Sequence, residues 1–180
     1  MFERFTRSTK RVVLDAVREA EREEAAEVGP EHLMLGLLHD HARSAPILVA
    51  AGLRREAMLA EFAAARRRGG LSTAEADALG RFGIDVAAVV EHVERAHGEN
   101  ALARGPRRRF RFPKGHLPFG PEAKAALVGT LRQAQERRDR RIGDEHLLLA
   151  MAAGGGVGAE VLAAHGLSYP EVRSRLATVQ

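Results

Sequence analysis

Shifted by 114 residues, the sequence falls on itself. Phe5 lands on Phe119, Lys10 on Lys124, Arg18 on Arg132 and Ala20 on Ala134. Gly29-x-Glu31-His32-Leu33-x-Leu35 lands on Gly143-x-Glu145-His146-Leu147-x-Leu149, and Leu48-x-Ala50-x-Gly52-Leu53 on Leu162-x-Ala164-x-Gly166-Leu167, with no gap anywhere. Conservative pairs fill the intervals: Val13/Leu127, Val28/Ile142, Met34/Leu148, Ile47/Val161 and Phe62/Leu176. In so Ala- and Arg-rich a chain, chance identities would be scattered; these are clustered. The chain therefore holds two copies of one supersecondary unit of about 60 residues, each too small to bury its apolar face alone and so packed on the other.

Each copy reads as helical. Val12, Val13, Ala16, Val17 and Ala20 recur at helical spacing with charges between them. Thr6 suits the N-cap of this first helix, and Gly120-Pro121 serves the second copy, with Pro at the first helical position. Pro30 opens a short, very apolar second helix through Leu38, with Asp144 as its counterpart opener. A third helix over 45–51 stops at Gly52, and a fourth covers 54–66; the second copy closes the same way at Gly166 and from Ser168 onward. No stretch alternates with period 2, so the expected fold is all-α: two tandem four-helix repeats forming one pseudo-twofold domain. The expected organisation is repeat 1 over 1–66, an interrepeat segment over 67–114, and repeat 2 over 115–180. Helices are expected at 72–80 and 85–97 in the segment, with Gly98 closing the second. Val86, Val89, Val90 and Val93 give that helix an apolar face that needs cover. A basic, Pro- and Gly-containing linker follows over 98–115.

Composition narrows the function classes. The chain has 180 residues and no cysteine, which excludes disulfides, thiolate zinc sites and cysteine nucleophiles. No apolar run approaches the roughly 18 residues of a membrane helix, and Met1-Phe2-Glu3-Arg4-Phe5-Thr6 lacks a signal-peptide core. A soluble, cytoplasmic protein is expected. The net charge is +4, yet six basic residues lie between Arg104 and Lys114, and no acid occurs from Asn100 to Pro121. Without those six the rest would be slightly acidic, so any nucleic-acid binding has to rest on that segment.

The repeats resemble the N-terminal domain of the Clp ATPases, of ClpC/ClpA type. Met1-Phe2-Glu3-Arg4-Phe5-Thr6 is similar to the start of an actinobacterial ClpC, and Val28-Gly29-Pro30-Glu31-His32-Leu33-Met34-Leu35-Gly36-Leu37-Leu38 to the family's IGTEHLLLGLL signature. Ile142 to Met151 repeats that signature, and Gly115-His116-Leu117-Pro118-Phe119 matches the approach to the family's second copy. The resemblance covers 1–66 and 115–180. The longer spacer resembles that of stand-alone proteins carrying only this domain. A P-loop needs Gly-Lys followed by Ser or Thr, and no Gly-Lys dipeptide occurs here. The resemblance implies a non-enzymatic docking module for adaptors and for tagged or damaged substrates, acting as adaptor, decoy or ligand sink, with no cofactor.

It also implies candidate residues. In ClpC-type domains the signature Glu holds the guanidinium of a phosphorylated arginine, and a Thr at the start of the first helix helps hold the phosphate. The chemistry is sound, since a carboxylate takes a guanidinium through two parallel hydrogen bonds and a helix start suits a phosphate. Copy one keeps Thr6 and Glu31; copy two keeps Glu145 but has Gly120 at the Thr position and Asp144 as an added anion expected to repel phosphate. Against this, Glu in a first turn favours the helix dipole and Thr6 caps well without a ligand. His32 and His146, with His39 and His41 nearby, read as structural rather than as metal ligands, because a helical metal site needs HExxH and the order here is Glu-His. Phe2, Phe5 and Phe119 either staple the copies together or line an apolar groove between them, flanked by Lys10 and Lys124, that accepts peptides or cyclic peptides. Arg107, Arg108, Arg109 and Arg111, interleaved with Phe110 and Phe112, read either as a solvated linker or as an arm that grips an acidic protein partner. The alternative function is a nucleic-acid-binding regulator acting through 104–114, where cations and aromatics could track phosphates and stack bases.

Overall fold

In the computed structural model, residues 2–103 and 117–178 are described. After a 3-10 turn at Phe2–Arg4, ten helices follow: α1 Arg7–Arg22, α2 Pro30–Leu37, α3 Ala45–Ala50, α4 Arg55–Arg67, α5 Thr73–Arg81, α6 Val86–His97, α7 Pro121–Glu136, α8 Asp144–Ala153, α9 Gly156–Ala164 and α10 Tyr169–Thr178. Helices α1–α4 and α7–α10 are the two copies. The described residues contain no strand, only two isolated bridges, Phe5 with Ile142 and Val28 with Phe119.

The 114-residue shift is visible in the backbone itself. Glu24 and Arg138, which end the first helix of each copy, are both left-handed, at φ 52° and 59°. Gly52 and Gly166, after the third helices, share φ values of 77° and 69°. A non-glycine residue in that region costs roughly 1–2 kcal/mol, so its recurrence at equivalent sites marks one turn geometry used twice.

Capping follows local chemistry. Thr6 caps α1 by accepting from the Thr9 amide at 3.2 Å. Ser72 caps α5 in a reciprocal box with Glu75: the Ser72 amide donates to Glu75 at 2.8 Å, and the Glu75 amide to Ser72 Oγ at 3.2 Å. Asp85 caps α6 through the Ala88 amide at 3.1 Å.

The core is one cluster drawn from both copies. Val12, Ala16, Leu33, Leu37, Leu48 and Met58 come from the first, and Ile142, Leu147, Leu148, Leu162, Leu167 and Val172 from the second. Helices α1 and α2 cross so closely at Gly36 that an added Cβ would fall on the Val12 carbonyl oxygen. In copy two the space is made from the other side: Ala150 stands in place of Gly36, and the facing residue is Gly129, where a Cβ would lie 3.1 Å from that of Ala150.

One expectation needs correction. The apolar face of α6 is only partly covered: Val86, Val90 and Val93 are half-buried, while Val89 is 48% exposed. The described part of α5 and α6 is held mainly by polar ties, the Arg67–Glu94 fork at 2.8–2.9 Å and the Thr73 amide on Glu160 at 2.8 Å. Among the described residues, no single helix is long and apolar enough to cross a membrane.

Candidate ligand sites at the repeat junctions

Two backbone junctions join the copies. In the first, the Thr6 amide donates to the Ile142 carbonyl at 3.0 Å and the Ile142 amide to the Arg4 carbonyl at 2.9 Å. In the second, the Gly120 amide donates to Val28 at 2.9 Å and the Val28 amide to Pro118 at 2.8 Å. Each donor and acceptor is the counterpart of the other junction's. The start of α1 therefore adjoins the start of α8, and the start of α7 adjoins that of α2.

This crossing corrects the expected pairing of parts. Thr6 and Glu31 belong to the same copy but not to the same junction. Thr6 meets the α8 start that carries Glu145, and Gly120 meets the α2 start that carries Glu31.

At the first junction Thr9 Oγ1 donates to the Ile142 carbonyl at 2.9 Å, so the 2.8 Å bond between the two hydroxyls has Thr6 donating to Thr9. The Thr6 hydroxyl also accepts from the Thr9 amide, so its proton and one of its two lone pairs are used in the cap. Glu145 folds back over Gly143, leaving no room there for a Cβ. Its Oε2 is buried and makes no hydrogen bond within the protein. Such an acceptor is costly to leave unpaired.

Asp144 does not act as the added anion expected. It is fully buried, pointing into copy one. It accepts from Ser8 Oγ at 2.6 Å and from the Ser44 amide and hydroxyl, both at 2.8 Å. Its role is to tie α8 to α1 and to the start of α3.

The second junction is filled by the protein itself. Glu31 Oε1 accepts from Arg66 Nη1 at 3.2 Å, and the Glu27 carboxylate occupies the space a side chain at Gly120 would need. An internal guanidinium thus sits on the signature carboxylate and an internal anion at the helix start. Neither Arg66 nor Glu27 stands out in the sequence, because they are brought there from different elements. The equivalent of Glu27 at the first junction is Arg141, so this position carries opposite charge at the two junctions.

The second junction is also crowded with acids. Partial burial, and then the Glu31, Glu75 and Glu27 carboxylates, push the Glu122 carboxyl above its ordinary range. The folded chain thus holds this proton more tightly than the unfolded one, a contribution present at low pH and lost as pH rises past the raised folded value. Glu122→Gln is expected to raise the urea midpoint at about pH 7 and leave it unchanged below about pH 4. A midpoint at neutral pH that stays put or falls would contradict the crowding.

His32 and His146 are structural. The Gly29 amide donates to His32 Nδ1 at 2.8 Å and the Gly143 amide to His146 Nδ1 at 2.9 Å, so each ring caps its own helix. His146 Nε2 then carries the proton and donates to Asp139 at 2.9 Å. Phe5 is buried, and Phe119 packs partly buried against the core. Phe2 lies in the opening turn, and its side chain is outside the described residues, as are Arg107, Arg108, Arg109 and Arg111. Lys10 and Lys124 are exposed. A cleft of about 440 Å³ does run between Pro30 of copy one and α7–α9 of copy two. Its walls include Glu122, Gly129, Arg132 and Met151, and Lys10, Lys124 and Phe119 are not among them.

These features define an all-helical module made of two copies joined through crossed junctions. The chain belongs to the Clp repeat (R) N-terminal domain family, whose model matches residues 4–72 and 71–165. It is 28% identical over 177 residues to an ATP-dependent Clp protease ATP-binding subunit ClpA homolog of Cyanidium caldarium, and 28% over 178 residues to the chloroplastic chaperone protein ClpC1 of Oryza sativa subsp. japonica. Each match takes in 98% of this chain but only 16% and 15% of the relative, so the chain spans about one-sixth of their length. In fold it is similar to the N-terminal domain of the chaperone ClpD from Arabidopsis thaliana, with a TM-score of 0.54, 18% identity and coverage of 98% and 97% of the two chains. Domains of this family are non-catalytic interaction modules, which supports protein partners for this chain.

Proposed function

We propose that the chain is a non-enzymatic docking module of the Clp unfoldase–protease system, an adaptor or decoy that captures arginine-phosphorylated protein segments at the first junction. The observation carrying this is the buried, unpartnered Oε2 of Glu145. A guanidinium would satisfy it through charge-assisted hydrogen bonds. The phosphoryl group would face the first amides of α1, which the helical ladder leaves unused, with Arg141 and Lys10 as nearby exposed cations. The internal occupants of the second junction, Arg66 on Glu31 and Glu27 at the α7 start, compete with a ligand of the same chemistry there.

Calorimetric titration with free phosphoarginine tests this. The expected result is one site, weakened at least tenfold in Glu145→Ala and retained in Glu31→Ala. Binding that survives Glu145→Ala and disappears in Glu31→Ala would move the site to the second junction. No binding by the wild type would remove phosphoarginine recognition altogether.

A further inference from the structure

Three ligating groups converge away from both junctions. Asp15 lies on the buried side of α1, and His39 and His41 lie in the turn between α2 and α3. One oxygen of Asp15 and one ring nitrogen of each histidine all lie within 4.8 Å of one another. The two rings stack with centroids 5.6 Å apart and an interplanar angle of 22°.

The contact between Asp15 and His41 is not an ordinary ion pair. Asp15 Oδ2 is 3.1 Å from His41 Nε2, yet the nitrogen, although fully buried, makes no hydrogen bond. The carboxylate oxygen therefore stands beside the nitrogen's bonding direction rather than along it. Asp15 Oδ1 is taken by Arg18 at 2.8 Å, which leaves Oδ2 directed at the histidines. The next carboxylate along α1, Glu19, is engaged by Arg22 at 2.9 Å and Arg55 at 2.7 Å. Burial would raise Glu19, but the Arg55 hydrogen bond and the charges of Arg55, Arg22 and His39 outweigh it and hold its carboxyl below the usual range. It serves as a neighbouring anion, not as a ligand.

The turn that carries the histidines is fixed. Ser8 Oγ shares its one proton between Asp144 at 2.6 Å and the His41 carbonyl at 2.9 Å, and Ser44, three residues on, is held twice by Asp144 from the other copy. Backbone anchoring from both sides is what a site needs if its ligands are to stay in place without the ion.

The repeat supplies an internal control. Under the 114-residue shift, Asp15, His39 and His41 correspond to Gly129, Ala153 and Gly155. Copy two lacks all three side chains, and there the helices run further into the turn, α8 to Ala153 and α9 from Gly156, so the histidine turn is particular to copy one.

We propose that Asp15, His39 and His41 bind a divalent transition-metal ion of the zinc class, through two imidazoles and one carboxylate with water completing the shell. Imidazole and carboxylate suit such ions, and three protein ligands leave a position open. The small contraction needed, from separations up to 4.8 Å to those of ligands about 2 Å from a shared ion, falls to His39, whose side chain is 43% exposed and able to move.

The probes are Zn²⁺ by calorimetry and Co²⁺ by its visible absorption, in chelator-free buffer on the full chain. The expected result is one site, weakened at least tenfold in His41→Ala and in Asp15→Asn, and abolished in the His39→Ala/His41→Ala double variant. Thermal unfolding of the metal-free variants, followed by circular dichroism, is expected to stay cooperative, so that lost binding is not lost folding. No metal binding by the wild type, or binding undiminished in the double variant because exposed His92 and His97 carry it, would overturn the proposal.

Discussion

Gly36→Ala is expected to lower the unfolding free energy by about 3 kcal/mol or more, near the top of what overpacking costs. The reason is geometric: the new Cβ would fall on the carbonyl oxygen of Val12, a backbone atom of the facing helix, and not on a side chain that could rotate away. Helices α1 and α2 would have to separate along their crossing, loosening Leu33, Leu37 and Val12 in the core. The equivalent crossing in copy two gives the comparison. Gly129→Ala brings the new Cβ to 3.1 Å from the Ala150 side chain, so its cost should be smaller, about 1 kcal/mol. Urea unfolding of the two variants measures the difference. Equal and small losses would mean that the α1–α2 crossing is less tight than described.

Asp144→Ala should be comparably damaging, at about 3 kcal/mol. Its carboxylate satisfies the Ser44 amide, the Ser44 hydroxyl and the Ser8 hydroxyl, and Ser44 is itself fully buried. Removing the acceptor strands the Ser44 amide and hydroxyl where water does not reach, whereas the half-buried Ser8 hydroxyl keeps the His41 carbonyl at 2.9 Å; each stranded group costs roughly 1–3 kcal/mol. Asp144→Asn would keep one acceptor oxygen but turn an NH₂ group toward donors, and should fall between the two. Because the ties run from copy two to copy one, the loss should also appear as faster hydrogen exchange at the starts of α1 and α3. A variant with wild-type stability and exchange would refute a tie between the copies.

The sequence made some of this plain and hid the rest, for physical reasons. Helix starts and stops are local, so Thr6 could be placed as a cap, helices at 72–80 and 85–97, and Gly52, Gly98 and Gly166 as ends, from neighbours a few positions away. The 114-residue shift established two like units. It could not show which ends of those units meet, because a repeat specifies units and not their arrangement. Pairing Thr6 with Glu31 is the natural inference within one copy, but the Thr6–Ile142 bond spans both. Asp144 shows the same limit, since at the first position of a helix nothing in the spacing distinguishes an outward from an inward carboxylate. Arg66 reaches Glu31 across 35 positions. The histidines of the turn looked incidental because Asp15, which joins them, is on another helix. For α6, periodicity signalled an apolar face correctly but not whether the described chain would cover it.

The crossed junctions bear on how such a module can change over time. Each pocket is assembled from one helix start in either copy, so no pocket is inherited with a single copy. A substitution in the second copy's signature alters the site that the first copy's Thr6 faces, and the reverse holds for Gly120. Their present contrast, with Glu145 Oε2 buried and without a hydrogen bond at the first junction and the chain's own Arg66 and Glu27 at the second, belongs to the pair of copies and not to either one. A ligand seated at the first junction touches both halves and so favours only the docked pair, which makes binding strength and the cohesion of the two copies linked quantities.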